Sequence, residues 1–329
     1  MLLPVKQSIM ETILLTQNTK TMKTNLKKIA GFSLILLIAF SCRNNDNVVN
    51  NEFLINIDKT EYRSVNEAVG GNENCDNLYI NASYNDKSTI DFTIKFEISK
   101  NGELMRAWYE EYTLPLKSGQ GKKIFLTPNF NPILTFTISN FYYDFNTGEV
   151  RFNFNGTLYF ENNNSVSKNV AGEIKIKSLE SVECSDAKGG LSYNDNNFRL
   201  FSYSNKAVKY SDQTQVHKFF SNNGYRLYFY FENDPWNYPL GEITFDESKL
   251  LDKVEFKKAI GPITADQLQL IDKQVWENYE TSGTIHIKEK YVEKNRKVIK
   301  GSLNIVAKKD GIVKYNLKGI EFRTSSFEN

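Results

Sequence analysis

Strict alternation of apolar and polar residues is the feature that most restricts the fold of this chain. In STIDFTIKFEIS the apolar positions are Ile90, Phe92, Ile94, Phe96 and Ile98, each separated from the next by one polar or charged residue. Successive side chains of a β-strand point to opposite faces, so a period of two predicts a strand with one buried face. GYRLYFYFEN and EVRFNFNGTLYF are aromatic-rich runs beside turn-forming Asn and Gly. The sequence therefore predicts a mainly β protein built from antiparallel hairpins.

Two similar pairs of segments indicate that one hairpin is used twice. GTLYF and VAGEIKI contain Gly156 and Gly172, and they are echoed by GTIHI and IKGSLNI, which contain Gly283 and Gly301. Each glycine is in phase with the apolar residues of its segment, which places it on the inner face. A missing side chain there leaves room for an aromatic ring or for close backbone. The echo predicts two related antiparallel β-sandwich domains, immunoglobulin-like in type.

The boundaries of these domains follow from composition. The stretch SDAKGGLSYNDNN is rich in Gly, Asn and Asp, which is typical of a loop. The predicted organisation is a signal segment at 1–41, a tether at 42–51, a first domain at 52–184, a linker at 185–198 and a second domain at 199–327.

One segment of the second domain has helical spacing instead. Thr264 and Gln267 have the spacing of a capping box, and Ile263 and Leu268 that of a hydrophobic staple. We predict one short helix over 265–278, with a strand as the alternative for the segment QVWENYE.

A short apolar run near the N-terminus is typical of an export signal. Met22 begins a segment that contains Lys27 and Lys28, and the 12 uncharged residues Ile29–Phe40 follow shortly before Cys42. Such a run falls short of the roughly 20 residues that span a bilayer, whereas a basic and then apolar order matches a secretory signal. The residues before Cys42 resemble a bacterial lipobox, which implies cleavage and lipidation at this cysteine. The alternatives are an ordinary signal peptide with a chance cysteine or a poorly spanning anchor.

Cleavage before Cys42 changes the charge of the protein. Residues 42–329 carry 36 basic and 38 acidic residues, so the basic excess of the full chain belongs to the signal segment. We expect no nucleic-acid partner, because such binding favours a clustered basic face. The expected location is the cell envelope, most simply the outer membrane, on either of its sides. Whether translation starts at Met1 or at Met22 stays open.

Two further cysteines, Cys75 and Cys184, lie in turn-like polar segments. In an exported protein they could form a disulfide, and two separate buried thiols are the alternative. Their spacing does not fit a metal site.

The C-terminal segment from TSGTIHI to GIEF contains the patterns Gly283-x-Ile285-x-Ile287 and Gly301-x-Leu303-x-Ile305. With these patterns the segment resembles domains of unknown function in lipoproteins of the Bacteroidota. The positions that carry the resemblance are structural, and Ile299 and Leu303 replace the commoner Val and Phe of that family. The resemblance implies an exported, lipid-anchored β-sandwich and brings no catalytic residues. The matching positions are Gly283, Ile285, Ile287, Gly301, Leu303, Ile305, Ala307, Gly319 and Phe322.

Residues suited to catalysis are few. The two histidines, His217 and His286, lie far apart in the sequence, and His286 alternates outward as expected of a solvated strand residue. No metal-binding, phosphate-binding or serine-nucleophile motif is present. We therefore expect no cofactor, no metal and no enzyme activity.

The strongest candidate for a ligand surface is FENDPWNYPLGE. Trp236 and Tyr238 lie in a proline-stiffened loop whose flat rings could stack on a sugar or hold a peptide, and Glu232 and Asp234 could accept hydrogen bonds. The alternative is that Trp236 folds back over the open end of the sandwich. Trp108, with Tyr112 on the same strand face, is expected to pack in a core or between domains.

These observations favour a non-catalytic lipoprotein that binds a glycan, a peptide or a partner protein, or serves as a scaffold, at the outer membrane. An accessory or inhibitory subunit of a surface complex is the alternative, and a carboxylate-dependent hydrolase is the third choice.

Overall fold

The structure is a computed structural model, and it describes most of the chain from residue 51 onward. The predicted lipidation site Cys42 and both candidate disulfide residues, Cys75 and Cys184, lie outside the described residues. Those described are residues 51–65, 68–74, 76–86, 90–113, 121–182, 189–194, 199–209, 214–261, 263–264, 268, 275–293 and 295–325.

The prediction of a mainly β chain with two antiparallel β-sandwich units is confirmed. The described residues form two sheets, one in each half of the chain, and each sheet encloses its own hydrophobic core. The strands of the first sheet are β1 Glu52–Ile57, β2 Thr60–Val65, β3 Val69–Asn74, β4 Asn77–Asn85, β5 Ile90–Ser99, β6 Leu104–Thr113, β7 Lys123–Leu126, β8 Phe136–Tyr143, β9 Val150–Phe160, β10 Asn163–Ile176 and β11 Glu180–Val182.

The first sheet folds over on itself. Its strand order is β11-β3-β4-β5-β6-β7-β9-β10-β1-β2, with β8 paired to β9. Although β5 and β9 are not neighbours in this order, Phe96 of β5 lies 5.2 Å from Phe152 and 4.9 Å from Phe154 of β9, centroid to centroid. The fold is sharp because β7 and β9 share only two residue pairs among the described residues. The alternation that predicted β5 is confirmed, since its side chains from Phe92 to Ile98 are buried at every second position.

Apart from β16, the strands of the second sheet form a meander. Their order is β16-β18-β17-β15-β14-β13-β12-β20-β19, and all the described pairings are antiparallel. The strands are β12 Gly190–Asn194, β13 Arg199–Lys209, β14 Gln215–Ser221, β15 Tyr225–Phe231, β16 Gly241–Phe245, β17 Lys253–Ala259, β18 Trp276–Glu293, β19 Arg296–Lys309 and β20 Ile312–Ser325.

The long strand β18 closes the second sheet into a ring. Its first residues pair with β17, and its remainder pairs with β19 on one side and β16 on the other. The strands β12, β13, β14, β15, β17, β18, β19 and β20 therefore follow one another around a single core. An interior enclosed by about eight strands is just wide enough to be filled by side chains. Phe219, Phe229, Phe231, Phe245 and Phe256 fill much of it here.

The echoed glycines occupy crowded positions in both hairpins, as the sequence predicts. A Cβ atom on Gly172 would lie 2.1 Å from the carbonyl oxygen of Leu54 and 2.8 Å from the ring of Phe154. A Cβ atom on Gly301 would lie 2.2 Å from the carbonyl oxygen of His286 and 2.5 Å from the ring of Phe322. The missing side chain leaves space for a phenyl ring and for a neighbouring strand in each case.

The predicted helix over 265–278 is wrong at its C-terminal end. Residues from Trp276 onward belong to β18, where Trp276 pairs with Ala259 and Tyr279 packs against the second core. Pairing with β17 and partial burial of Tyr279 outweigh the local helical spacing, so the alternative strand interpretation holds from Trp276. Leu268 is helical and buried; residues 265–267 and 269–274 lie outside the described residues.

The last strand of the first sheet ends at Val182, and the first strand of the second sheet begins at Gly190. Gly190–Asn194, which the sequence assigned to the linker, form β12 of the second sheet, because they pair with β13 and β20 and bury Leu191 in the second core. The other domain boundaries stay predictions. The short strand β11 runs parallel to β3 and pairs Val182 with Asn74. Asn74, which precedes Cys75, is therefore the strand neighbour of Val182, which lies two residues before Cys184, and the disulfide itself stays a prediction.

Candidate functional site

The aromatic loop of residues 232–240 lies at one end of the second sheet, between β15 and β16. A single 3₁₀ turn, Pro235–Asn237, forms its centre. Asp234 begins this turn, because its carboxylate accepts a hydrogen bond of 2.8 Å from the backbone N–H of Trp236. Pro235 follows at the first position, where a missing N–H has no cost. The sequence DPWN thus encodes the turn locally, and the carboxylate of Asp234 has a structural role.

Tyr238 fastens the loop to the start of β17. Its hydroxyl donates a hydrogen bond of 2.5 Å to Asp252 and accepts one of 3.2 Å from the backbone N–H of Asn233. Burial and the hydrogen bond to Asp252 both raise the pKa of Tyr238, so its hydroxyl stays protonated at physiological pH. Asp252 also accepts a hydrogen bond of 3.0 Å from the backbone N–H of Glu232, whose side chain is exposed.

Trp236 is partly buried and packs against the second core, so the loop folds back over the end of the sheet. This geometry matches the alternative interpretation of Trp236 and still leaves part of the ring accessible. The Nζ atoms of Lys290 and Lys297 lie 5.9 and 5.8 Å from its ring centroid, within the range of cation–π attraction. Lys290 also donates hydrogen bonds to the backbone carbonyl oxygens of Trp236, at 2.6 Å, and of Tyr238.

The ammonium group of Lys297 lies beside the ring without an ion-pair partner among the described residues. Trp236, Lys290 and Lys297 therefore form a surface that combines an aromatic ring with two positive charges, which we call the aromatic–basic surface. A ligand group with a negative charge and an adjacent apolar face would match it chemically. The sequence did not indicate the two lysines as site residues, because they lie more than fifty positions from Trp236 and reach it only through the closure of the sheet.

A fully buried histidine lies at the same end of the sheet. His217 alternates with Gln215 and Phe219 along β14 and faces the core, where Phe231 meets it edge-on at 5.6 Å. Its Nδ1 lies 2.5 Å from the hydroxyl oxygen of Thr324, and its Nε2 lies 3.3 Å from the side-chain carbonyl oxygen of Gln215. Since that carbonyl can only accept, Nε2 donates to it. Burial lowers the pKa of His217 to about 4, so the ring is neutral at physiological pH and Nδ1 accepts from the hydroxyl of Thr324. The imidazole is therefore neutral with both nitrogens satisfied.

Loss of stability between pH 7.5 and pH 5 is expected from His217. Burial lowers its pKa to about 4, against a partial opposing effect of Asp234. Because the native pKa lies below the unfolded one, protons bind first to the unfolded chain, and stability falls as the pH drops from about 6.5 toward the native pKa. Between pH 7.5 and pH 5, we expect the free energy of unfolding to fall by about 2 kcal/mol more in the wild type than in the His217→Gln variant.

Urea unfolding of the wild type and the variant at pH 7.5 and 5.0 measures this difference. His286→Gln is the matched control, because His286 has a side chain that is 41% exposed, 3.9 Å from Glu242. An equal pH dependence for wild type and His217→Gln would contradict the neutral, buried assignment.

Trp108 lies on the outer face of the first sheet and not in either core. Its neighbours Ala107 and Tyr109 occupy the inner positions and are buried, so strand alternation directs Trp108 outward. The hydroxyl of Tyr112, on the same face, donates a hydrogen bond of 3.4 Å to Glu110.

Within the described residues, no cluster of His, Cys, Asp and Glu is arranged to hold a metal ion. No helix in that part of the chain is long and apolar enough to cross a membrane.

The fold and the loop define the class: a mainly β protein with an aromatic–basic surface at one end of its second sheet. No family model, curated protein or solved structure matches the chain.

Proposed function

We propose that the protein is a non-catalytic lipoprotein of the cell envelope, attached to the outer membrane through Cys42, and that it binds an acidic glycan. The observation that carries the binding role is the placement of Lys290 and Lys297 beside the ring of Trp236. The apolar run before Cys42 supports the anchor.

An acidic sugar fits the aromatic–basic surface for two chemical reasons. The C–H face of a pyranose ring is apolar enough to lie against an indole, which combines a large apolar area with little conformational freedom. A carboxylate or sulfate on that sugar can form charge-assisted hydrogen bonds with a lysine ammonium group. The charge of Lys297 is best suited to this, because Lys290 already donates to two carbonyl oxygens of the loop.

The rigidity of the loop also supports binding. Asp234 within the loop, and Asp252 and Lys290 outside it, hold the loop by hydrogen bonds. A surface that is ordered before the ligand arrives loses less conformational entropy on binding. These carboxylates stabilise the loop itself, which favours a binding role for this surface over hydrolysis.

Trp236→Ala is expected to weaken the binding of acidic oligosaccharides by about thirtyfold, the loss that truncation of a central binding residue causes. Lys297→Gln is expected to weaken it by about fivefold and to reduce its salt dependence, because one partly exposed charge near the surface contributes about 1 kcal/mol. Calorimetric titration with a galacturonic acid hexamer and a heparin-derived hexasaccharide, at low and high salt, measures both effects.

Lys314→Gln is the matched control, because Lys314 is exposed on β20 outside the aromatic–basic surface. Thermal unfolding of each variant separates loss of binding from loss of structure. Failure of the wild type to bind either hexamer at millimolar concentration would contradict the proposal, and so would unchanged binding by a folded Trp236→Ala variant.

A further inference from the structure

We infer that the outer face of the first sheet carries a second binding site, a groove at Trp108 that accepts a neutral oligosaccharide. The site uses different strands from the aromatic–basic surface and does not depend on it. It takes a different class of sugar, because the charges around it balance.

The groove results from the register of the three neighbouring strands β5, β6 and β7. On the outer face, Trp108 of β6 lies between Lys95 of β5 and Leu126 of β7, its two cross-strand neighbours. The next pair along β6 and β7 is Glu110 and Ile124. Leu126 is almost fully buried, so it forms a floor beside the indole. Arg106, Trp108, Glu110, Ile124, Leu126 and Glu161 line an open groove of about 380 Å³. Sites for small ligands typically measure about 300–1,000 Å³.

The carboxylate of Glu110 is fixed in the groove. The residue is 6% exposed, and its two oxygens accept hydrogen bonds of 3.1 Å from Lys95 and from Lys122. Burial alone would raise the pKa of Glu110, but the bonds from Lys122 and Lys95 outweigh it and lower the pKa, so the group is ionised. An ionised carboxylate has about four lone-pair sites, and Lys95, Lys122 and Tyr112 occupy three of them. Glu110 is thus an ordered acceptor beside the indole ring.

Arg106 supplies donors at the other side of the ring. Its guanidinium carbon lies 5.3 Å from the centroid of Trp108. A guanidinium group has five N–H donors and no acceptor, whereas Glu110 offers acceptors only. Sugar hydroxyl groups both donate and accept hydrogen bonds, so a carbohydrate can use both sides of the groove at once.

The charge of the lining selects the occupant. Arg106, Lys95 and Lys122 carry three positive charges at the groove. Glu110 and Glu161 supply two negative charges, and Glu97, the cross-strand neighbour of Arg106, supplies the third. An acidic sugar would meet carboxylates here, and a protein partner would require a broader apolar surface than one indole and two aliphatic side chains. A neutral sugar chain can place its C–H face on Trp108 and its hydroxyl groups on the charged rim.

Tryptophan fluorescence tests this site separately from the aromatic–basic surface. The chain contains three tryptophans, Trp108, Trp236 and Trp276. The double variant Trp236→Phe, Trp276→Phe keeps Trp108 as the only tryptophan. We expect cellohexaose, xylohexaose, mannohexaose or maltohexaose to change its emission in a saturable manner and to shield it from acrylamide. Calorimetry with the same sugar should show binding about thirtyfold weaker in Trp108→Ala than in the wild type.

Two further variants separate loss of this site from misfolding and from loss of the aromatic–basic surface. Arg106→Gln leaves the indole in place and should also weaken binding, which covers the case that Trp108→Ala does not fold. Trp236→Ala should bind the neutral sugar as the wild type does, so failure at one site is distinguishable from failure at the other. The proposal is overturned if none of the four hexaoses alters Trp108 emission at millimolar concentration, or if folded Trp108→Ala and Arg106→Gln variants bind as the wild type does.

Discussion

Replacing Gly301 by alanine is expected to lower the free energy of unfolding by about 3–5 kcal/mol, more than most single substitutions. The added Cβ atom would lie 2.2 Å from the backbone carbonyl oxygen of His286 and 2.5 Å from the ring of Phe322. The ring could turn away only by leaving the core, and the carbonyl belongs to the neighbouring strand β18. The substitution therefore forces apart two paired strands that close the second sheet.

Gly70→Ala is the matched control for this effect. Gly70 also lies within a strand, β3, but nothing approaches within 4 Å of the position that its Cβ would take. Denaturant unfolding should show a large loss of stability for Gly301→Ala and a change of less than about 1 kcal/mol for Gly70→Ala. Equal stabilities of the two variants would show that the close approach of β18, β19 and Phe322 is wrong.

Cys42→Ala is expected to abolish membrane attachment of the protein. If the signal segment ends before Cys42, the acyl chains on that cysteine provide the anchor, at about 0.8 kcal/mol for each buried methylene, and more than one chain is needed for stable attachment. Without the thiol no chain is added, so the variant should be missing from the membrane fraction in its lipidated form. The intact mass of the wild-type membrane protein should equal residues 42–329 plus acyl groups.

The matched control for this experiment is Ser41→Ala, which keeps a small residue before the cysteine and should leave lipidation intact. An unlipidated wild-type mass would contradict the anchor, as would an uncleaved chain in the inner membrane. In that case the compartment and the disulfide between Cys75 and Cys184 would both lose their support. The binding tests on the described β-sheets would remain valid.

The strands were predictable because their signal is local. The alternation from Phe92 to Ile98 predicted one buried face, and the echoed glycines predicted crowded inner positions. The closure of the second sheet was not predictable, because it depends on the pairing of β18 with three other strands. The first residues of β18 pair with β17, and the rest of the strand pairs with β19 and β16. The predicted helix was wrong from Trp276 onward for the same reason, because tertiary pairing outweighs a local helical preference.

The candidate site was only half predictable. DPWN encodes a local turn, so Trp236 could be identified from its proline-stiffened loop. Lys290 and Lys297 join it only through the fold, and no local pattern distinguishes them from the many other lysines of the chain. Trp108 was expected to pack in a core or between domains. The alternating positions of Ala107 and Tyr109 were the signal that it faces outward.

The central claim is that the aromatic–basic surface binds an acidic glycan without cleaving it. The measurement that tests it most directly is a calorimetric titration of the wild-type protein with a galacturonic acid hexamer and a heparin-derived hexasaccharide. Mass spectrometry of the sugar recovered after prolonged incubation completes the test. We predict saturable binding of an acidic hexamer that depends on Trp236, with recovery of that hexamer at its original mass. Shortened oligosaccharides, or no binding of either hexamer at millimolar concentration, would contradict the account.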